Sequence, residues 1–169
     1  MTAHDSTSLP VEKLISGGQT GVDEGALDAA ISLGLIHGGW CPRGRINERG
    51  VIPARFILRE TQTASYSQRT QRNVVDSDAT LILFRDQLTG GTALTRQFAE
   101  NHSRPCLCVD LNGESIDFEL IRSWLCRCQV QILNVAGPRE SSHPGIARVA
   151  EKVIRAIWQS PQSGSLGNS

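Results

Sequence analysis

Residues 79–92 read ATLILFRDQLTGGT, an apolar run followed by two glycines that stand between threonines. A continuous apolar run of this kind is typical of a strand in the middle of a parallel sheet, covered on both faces. A helical pattern follows to about residue 102, so the stretch predicts a strand, a glycine turn and a helix. This unit indicates the fold class, because parallel strands require a helical crossover between them.

The same unit recurs on both sides of this stretch. Strands are predicted at 13–16, 35–40, 79–84, 105–109 and 130–135. Helices are predicted at 22–33, 66–75, 90–102, 115–125 and 145–159. The alternation predicts a three-layer α/β fold with a mostly parallel central sheet of about five strands, covered by helices on both faces.

The chain length of 169 residues suits one domain. We expect this domain to span residues 11–159, between flexible tails at 1–10 and 160–169 that are rich in serine, threonine, glycine and asparagine. Residues 41–64 form a long irregular stretch, and such stretches inside compact domains are usually functional or disordered.

Charge and composition exclude several classes of protein. Seventeen basic and seventeen acidic side chains cancel, which argues against a general nucleic-acid or membrane-surface binder. The N-terminus lacks the apolar core of a signal peptide, and no apolar run reaches the roughly 18 residues of a membrane span. We therefore expect a cytoplasmic protein without nucleic-acid or membrane partners.

The five cysteines do not suggest a disulfide framework or a metal site. Cys106 and Cys108 alternate on a predicted strand and share one face, and Cys126 and Cys128 form a second C-x-C pair. Neither pair has the spacing of a zinc site, and the four histidines show no metal-ligand spacing. The pattern favours small buried apolar side chains and predicts no metal site.

Glycine or hydroxyl residues follow the first, third and last predicted strands, so we expect these three loops to converge on one edge of the sheet. Glycine lets the backbone approach a phosphate, and the amides at a helix start attract negative charge. The alternative is that these are tight turns with serine or threonine caps. Neither a P-loop nor a G-x-G-x-x-G string is present, which disfavours ATP hydrolysis and ordinary NAD chemistry. The candidate phosphate-binding residues are Gly17, Gly18, Gln19, Thr20, Gly21, Thr89, Gly90, Gly91, Thr92, Gly137, Pro138, Arg139, Glu140 and Ser141.

Arginine is concentrated between residues 41 and 75, where seven arginines face only two glutamates. Guanidinium groups bind phosphate and other oxyanions in a bidentate manner, so ligand or subunit contact is one interpretation and a solvated loop is the other. We take Arg43, Arg45, Arg69 and Asn73 as candidate ligand residues. On the helix at 66–75, Tyr66, Arg69, Thr70 and Asn73 share one polar face, which lines a pocket or faces solvent.

Catalytic machinery is less evident. Asp23 and Glu24 follow the first glycine loop and are the candidates for a general acid or base. An acidic residue in a first helical turn is also simply favourable for the helix dipole. We expect a binding protein and keep an enzyme with Asp23 or Glu24 as its acid as the alternative.

Several motifs taken in order resemble one family. SGGQTGVDEGALDAA, HGGWCPRGR, VIPARF, YSQRTQRNVVDSDATLIL, LTGGTALT and LNVAGPRES together resemble the molybdenum cofactor carrier proteins, from about residue 14 to residue 153. The resemblance implies a Rossmann-like fold that is circularly permuted relative to the LOG-type nucleotide phosphoribohydrolases. The enzymes' P-G-G-x-G-T-x-x-E string is not intact in the GGQTG loop, which argues against their activity.

The resemblance implies a role in binding, protecting and passing on the molybdenum cofactor, an anionic pterin phosphate carried as cargo. It also implies a homo-oligomer, a dimer or tetramer, with molybdoenzymes as possible recipients. Glycine loops suit the phosphate and arginines suit oxyanions, so the residues agree with this role. Two alternatives stay open: an enzyme acting on a nucleoside monophosphate, and a nucleotide-sensing module without turnover.

Overall fold

The computed structural model describes residues 8–159. The predicted tails therefore lie outside the described residues, except for residues 8–10. Leu9, which we expected in the tail, packs against the hydrophobic core. Across the described residues, every helix is too short or too polar to cross a lipid bilayer.

Five parallel strands form the central sheet in the order β2-β1-β9-β7-β8, and four two-residue strands pair outside it. The strands are β1 Lys13–Ile15, β2 Ile36–Gly38, β3 Trp40–Cys41, β4 Ile46–Asn47, β5 Gly50–Val51, β6 Arg59–Glu60, β7 Ala79–Phe84, β8 Cys106–Asp110 and β9 Ile132–Ala136. The helices are α1 Val22–Leu33, α2 Tyr66–Val75, α3 Gly90–Asn101, α4 Phe118–Arg127 and α5 Ile146–Trp158. The predicted α/β fold with a five-stranded parallel sheet is confirmed.

The helices cover both faces of the sheet. The chain leaves β1 through α1 toward the β2 edge and leaves β7 through α3 toward the opposite edge. Because such crossovers are right-handed, α1 and α3 lie on opposite faces. Accordingly, α1 packs against α5 on one face, and α2 packs against α3 on the other.

The core lies mainly between the sheet and α1 and α5. Leu81 and Leu83 of β7, with Leu133 of β9, are fully buried, as the apolar run of β7 predicts. Ile154 and Ile157 of α5 are fully buried as well. Burying a side chain of this size stabilises the fold by about 1.5–3 kcal/mol.

The prediction of one strand at 35–40 is wrong in its second half. The observed strand β2 ends at Gly38, and a separate strand, β3, begins at Trp40 and pairs with β6. The break lies at Gly39, which has a φ of 123°. A Cβ there would stand 2.2 Å from the Ser16 carbonyl oxygen, so glycine allows the chain to pass close over β1.

The stretch predicted as irregular, residues 41–64, is an ordered excursion. It contains the β4–β5 hairpin, and it inserts Ile52 and Phe56 into the core with 1% of each exposed. The boundaries of α4 also differ from the prediction. This helix begins at Phe118 because the Asp117 side chain accepts the Leu120 N–H and caps it.

Candidate functional site

A cavity of about 400 Å³ opens at the carboxyl edge of the sheet. The loops after β1, β7 and β9 border it, together with the first turn of α2. These three strands are neighbours in the sheet, so the three loops that the sequence predicts as converging do converge. The predicted site residues in its lining are Gln19, Arg69, Thr89, Gly90, Gly91, Thr92, Gly137, Pro138, Arg139 and Ser141.

An ion pair forms part of the cavity wall. Arg69 Nη1 lies 2.9 Å from Asp23 Oδ2, and the two side chains are 11% and 5% exposed. The buried Arg69 Nε has no hydrogen-bond partner among the described residues. Burial raises the pKa of the Asp23 carboxyl above its ordinary value, and the Arg69 charge and the Gln19 N–H offset this effect only in part.

Three amides of the glycine loop after β1 have acceptors within the protein. Gln19 N–H donates to the Asp23 carboxylate at 3.2 Å, and Thr20 N–H donates to the Gln19 side-chain carbonyl at 3.0 Å. Val22 N–H donates to the Pro138 carbonyl at 3.1 Å. These three donors are therefore not open to a ligand, which corrects the expectation of a phosphate on this loop for the amides of Gln19 and Thr20.

The loop after β9 is closed by a carboxylate of its own. Glu140 accepts the N–H groups of Gly145 and Ala147 at the start of α5. This carboxylate stands where a phosphate would otherwise bind, because both stabilise the positive end of a helix. Glu140 is thus a helix cap here and does not line the cavity.

Within the described residues, the loop after β7 leaves the start of its helix open and without a nearby carboxylate. The Thr89 side chain does not cap α3, and the first turn of α3 contains no acidic residue. The amides of Gly90 and Gly91 have no protein acceptor, whereas Thr92 N–H and Ala93 N–H both donate to the Thr89 carbonyl. The N-terminus of α3 is therefore a candidate anion site in this cavity.

Glu48, from the β4–β5 hairpin, ties two of the loops together. Its carboxylate accepts the Thr20 hydroxyl and both the hydroxyl and the amide of Ser141. Arg139 Nη1 lies 3.9 Å from the same carboxylate and is 46% exposed, so its guanidinium can reach a ligand. Burial would raise the pKa of Glu48, but the hydrogen bonds from Ser141 and Thr20 and the Arg139 charge hold it below its ordinary value.

Several predicted ligand residues have structural partners instead. Arg45 donates to the carbonyls of Pro53, Phe56 and Leu58, and so it fixes the excursion and does not reach the cavity. Asn73 bonds the backbone of Trp40 through both of its side-chain polar atoms, which anchors α2 to β3.

Other predicted residues also lie outside the main cavity. Gly18 faces Ile52 and Leu58, and Gly21 packs against Pro138. Gly17 borders a small adjoining cavity of about 20 Å³ next to Arg69. The Thr20 hydroxyl donates to the Glu48 carboxylate. Arg43 is exposed to solvent and does not line the cavity.

The two candidate acids are placed differently. Asp23 lines the cavity, whereas Glu24 faces away from it and pairs with Arg49 and Arg55. This removes Glu24 as a catalytic candidate. No three potential metal ligands cluster in residues 8–159.

Sequence reasoning missed six residues of the lining, which are Ser67, Leu94, Thr95, Ala136, Ser142 and His143. Thr95 stands one turn after Thr92 on α3, so the helical spacing could have found it. His143 follows the last glycine loop by only a few residues, but a lone histidine near a loop end gives no specific signal. For the polar face of α2, the sequence allows either a pocket or contact with solvent. In the structure, Tyr66 and Thr70 of that face line the cavity with Arg69.

The cysteines depart from the expectation of buried apolar side chains. Cys41 is buried, but Cys106, Cys108 and Cys128 are half-buried and Cys126 is exposed. All five are free thiols. The hydrogen bond from Cys106 lowers the pKa of Cys108 to about 7, although burial opposes this shift.

The sequence matches the model of the family described as "Circularly permutated YpsA SLOG family" over residues 14–158. Among solved structures it is similar to a crystal structure from Syntrophus aciditrophicus SB named "Putative molybdenum carrier protein". The two chains are 43% identical with a TM-score of 0.84, over 90% of this chain and 97% of that chain. A search of the curated proteins found no match. The resemblance to the molybdenum carrier proteins that the motifs indicated is confirmed.

Proposed function

Because the chain belongs to the circularly permuted YpsA SLOG family, we propose that it binds and carries the molybdenum cofactor, an anionic pterin phosphate. The observation that carries this proposal is the uncapped N-terminus of α3, which opens into the cavity at the carboxyl edge of the sheet. A protein 43% identical to this chain is named as a molybdenum carrier, which supports the choice of cargo.

In this proposal the phosphate binds at the N-terminus of α3. The Gly90 and Gly91 amides donate to its oxygens, and the helix dipole stabilises its charge. The Thr92 side chain lines the cavity beside them. Arg139, which is held only loosely by Glu48, adds a charge-assisted hydrogen bond.

The size and charge of the cavity support a small anionic cargo. Its volume of about 400 Å³ falls within the roughly 300–1,000 Å³ of small-molecule sites. Two arginines, Arg69 and Arg139, lie in its lining with Asp23 as the one carboxylate. The oxygen ligands of an oxidised molybdenum centre are negative as well, so the whole cargo suits this lining.

One observation favours a second candidate, an enzyme acting on a nucleoside monophosphate. Asp23 lines the cavity, and its pKa is raised, which is the environment of a general acid. Its pairing with Arg69 and Gln19 N–H favours a structural role instead. Incubation with AMP distinguishes the two candidate functions. Release of adenine by the wild type, and its loss in Asp23→Asn, would favour the enzyme over the carrier. Binding of AMP without release, and no binding of the cofactor, would favour a nucleotide sensor.

The carrier proposal is tested at Gly91, where a side chain fits without contact, because nothing lies within 4 Å of the point that its Cβ atom would occupy. Gly91→Asp places a negative charge in the first turn of α3, which favours the helix and repels a phosphate. We expect calorimetric titration with the molybdenum cofactor to show at least a tenfold loss of affinity, about 1.4 kcal/mol. Gly91→Asn is the matched neutral control and should retain most of the affinity. Equal affinities of the two variants would contradict the proposal.

Arg139, on the loop after β9, provides a second test. Arg139→Ala should weaken binding of the cofactor by about 1.5–3 kcal/mol if its hydrogen bond is to the charged phosphate. Arg43→Ala removes an exposed arginine outside the lining and serves as the control. An unchanged affinity in Arg139→Ala would remove this residue from the site.

The proposal extends to assembly and partners. We take the protein to be a cytoplasmic homo-oligomer, a dimer or tetramer, that passes its cargo to molybdoenzymes. Ile36 at the edge strand β2 and Ile57 in the adjoining excursion are 65% and 72% exposed, which supports an apolar contact between subunits. Light scattering after gel filtration should give a multiple of the 18.4 kDa chain mass, and a monomer would contradict this part.

A further inference from the structure

Tyr66 is the single tyrosine of the chain, and its ring lies in the wall of the cavity. It is the first residue of α2 and is 42% exposed. Six other large apolar side chains are comparably exposed among the described residues, and none of them borders this cavity. Among the exposed large apolar side chains of the described residues, Tyr66 is therefore the one that lines the cavity.

The ring is positioned from its buried side. The guanidinium carbon of Arg69 lies 5.6 Å from the ring centroid, within the range of a cation–π contact. Arg69 is fixed by its pair with Asp23 and is itself only 11% exposed. The paired guanidinium contacts one side of the ring, and the exposed part of Tyr66 presents an aromatic surface to the cavity.

The rest of the lining offers little other flat apolar surface. Most of the remaining side chains carry hydroxyl groups or are small, and the open amides of α3 lie at the end of the loop after β7. Such a cavity has donors for an anion and two aromatic side chains, Tyr66 and His143, of which Tyr66 has the larger apolar face. Stacking on an aromatic side chain is tolerant of ring identity, because every heteroaromatic ring has a π-face.

We propose that Tyr66 is the specificity residue of the cavity, and that it stacks on the flat heteroaromatic ring of a ligand whose phosphate occupies the N-terminus of α3. This inference rests on the proposed function for the position of the phosphate. It defines the ligand class as a phosphate joined to a fused heteroaromatic ring, and it separates such ligands from sugar phosphates and inorganic phosphate, which have no ring to stack.

The test compares ligands that share a phosphate and differ in the ring. The probes are metal-free molybdopterin, AMP and ribose 5-phosphate, titrated into the full chain and into Tyr66→Phe and Tyr66→Leu. We expect Tyr66→Leu to lose about 5- to 100-fold in affinity for the ring-bearing probe that the wild type binds best. Tyr66→Phe keeps the ring and should stay within about twofold of the wild type. Ribose 5-phosphate should bind all three proteins equally weakly.

Chemical protection gives a second readout that does not depend on a variant. Because the chain has one tyrosine, nitration by tetranitromethane reports on Tyr66 alone. We expect the ring-bearing probe to protect it, and ribose 5-phosphate at equal occupancy to leave it reactive. Equal nitration with and without the ring-bearing probe would contradict stacking.

The outcomes distinguish this inference from the function on which it rests. If the wild type and Tyr66→Leu bind the ring-bearing probes equally, the inference is overturned and the phosphate site stands. If Tyr66→Leu loses ribose 5-phosphate to the same extent, the residue acts through the fold and the inference is again overturned. If no phosphate probe binds the wild type, the proposed function itself fails. Circular dichroism of Tyr66→Leu verifies that the variant is folded.

Discussion

Arg69→Met tests whether the Asp23–Arg69 pair is a buried charge pair that supports the cavity. Methionine keeps an unbranched chain and removes the guanidinium. The Asp23 carboxylate is then left 5% exposed with the Gln19 N–H as its remaining strong donor. Breaking a buried pair by removing one partner costs about 3–5 kcal/mol.

We expect the lower end of that range, about 3 kcal/mol of the free energy of unfolding at pH 7. Two features reduce the cost: Asp23 keeps the amide bond from Gln19, and the buried Arg69 Nε has no partner to lose. For a domain of this size the loss corresponds to a fall in Tm of roughly 6–12 °C. Urea unfolding followed by circular dichroism measures it, with Arg43→Met as the exposed control.

The loss should depend on pH in a defined direction. Burial already raises the folded-state pKa of Asp23, and removing the opposing Arg69 charge raises it further. A carboxyl with a raised folded-state pKa contributes stability below its unfolded pKa, and the contribution is lost as the pH rises through the folded-state pKa. The deficit of Arg69→Met relative to the wild type should therefore be larger at pH 7 than near pH 4. A deficit under about 1 kcal/mol at pH 7, or one that does not shrink at pH 4, would refute the reasoning.

Three further changes test other contacts of the site. Gly21→Ala should destabilise the fold by more than about 1 kcal/mol, because Gly21 has a φ of 79° and a Cβ there would lie 2.3 Å from the Pro138 carbonyl oxygen; thermal melting measures this loss. Glu140→Ala removes the carboxylate that caps α5 and should cost about 1–2 kcal/mol in urea unfolding, while an unchanged midpoint would contradict the cap. Cys108 should react with iodoacetamide with a midpoint near its pKa of about 7, as followed by mass spectrometry, whereas a midpoint above pH 8.5 would exclude a stabilised thiolate.

The sequence predicts the architecture of this protein well, because the architecture depends on local patterns. The apolar run of β7 and the glycine that ends α1 at residue 34 each follow from a few neighbouring residues. The same holds for the convergence of loops at one edge of the sheet. Where the prediction fails, as at Gly39, the cause is a contact with Ser16 that lies far away in the chain.

The site is less predictable, because long-range partners decide what each candidate residue does. Arg45 and Arg69 are equivalent as arginines in a basic stretch. In the fold, Arg45 is enclosed by three carbonyls of the excursion, whereas Arg69 lies in the cavity wall beside Asp23. No local pattern separates them, since the difference depends on which residues the fold brings near each guanidinium.

The three glycine loops show the same limit and its functional consequence. In sequence they are alternatives of equal rank, each with amides at the start of a helix. Asp23 and Glu140 supply internal anions to the loop after β1 and to α5, so two of the three positive sites are neutralised by the protein itself. At α3 no carboxylate takes this position within the described residues, and the helix dipole faces an open cavity. Nothing lies within 4 Å of a Cβ atom at Gly91, so an aspartate there could supply the missing charge, and its absence supports the proposal that an external anion binds at α3.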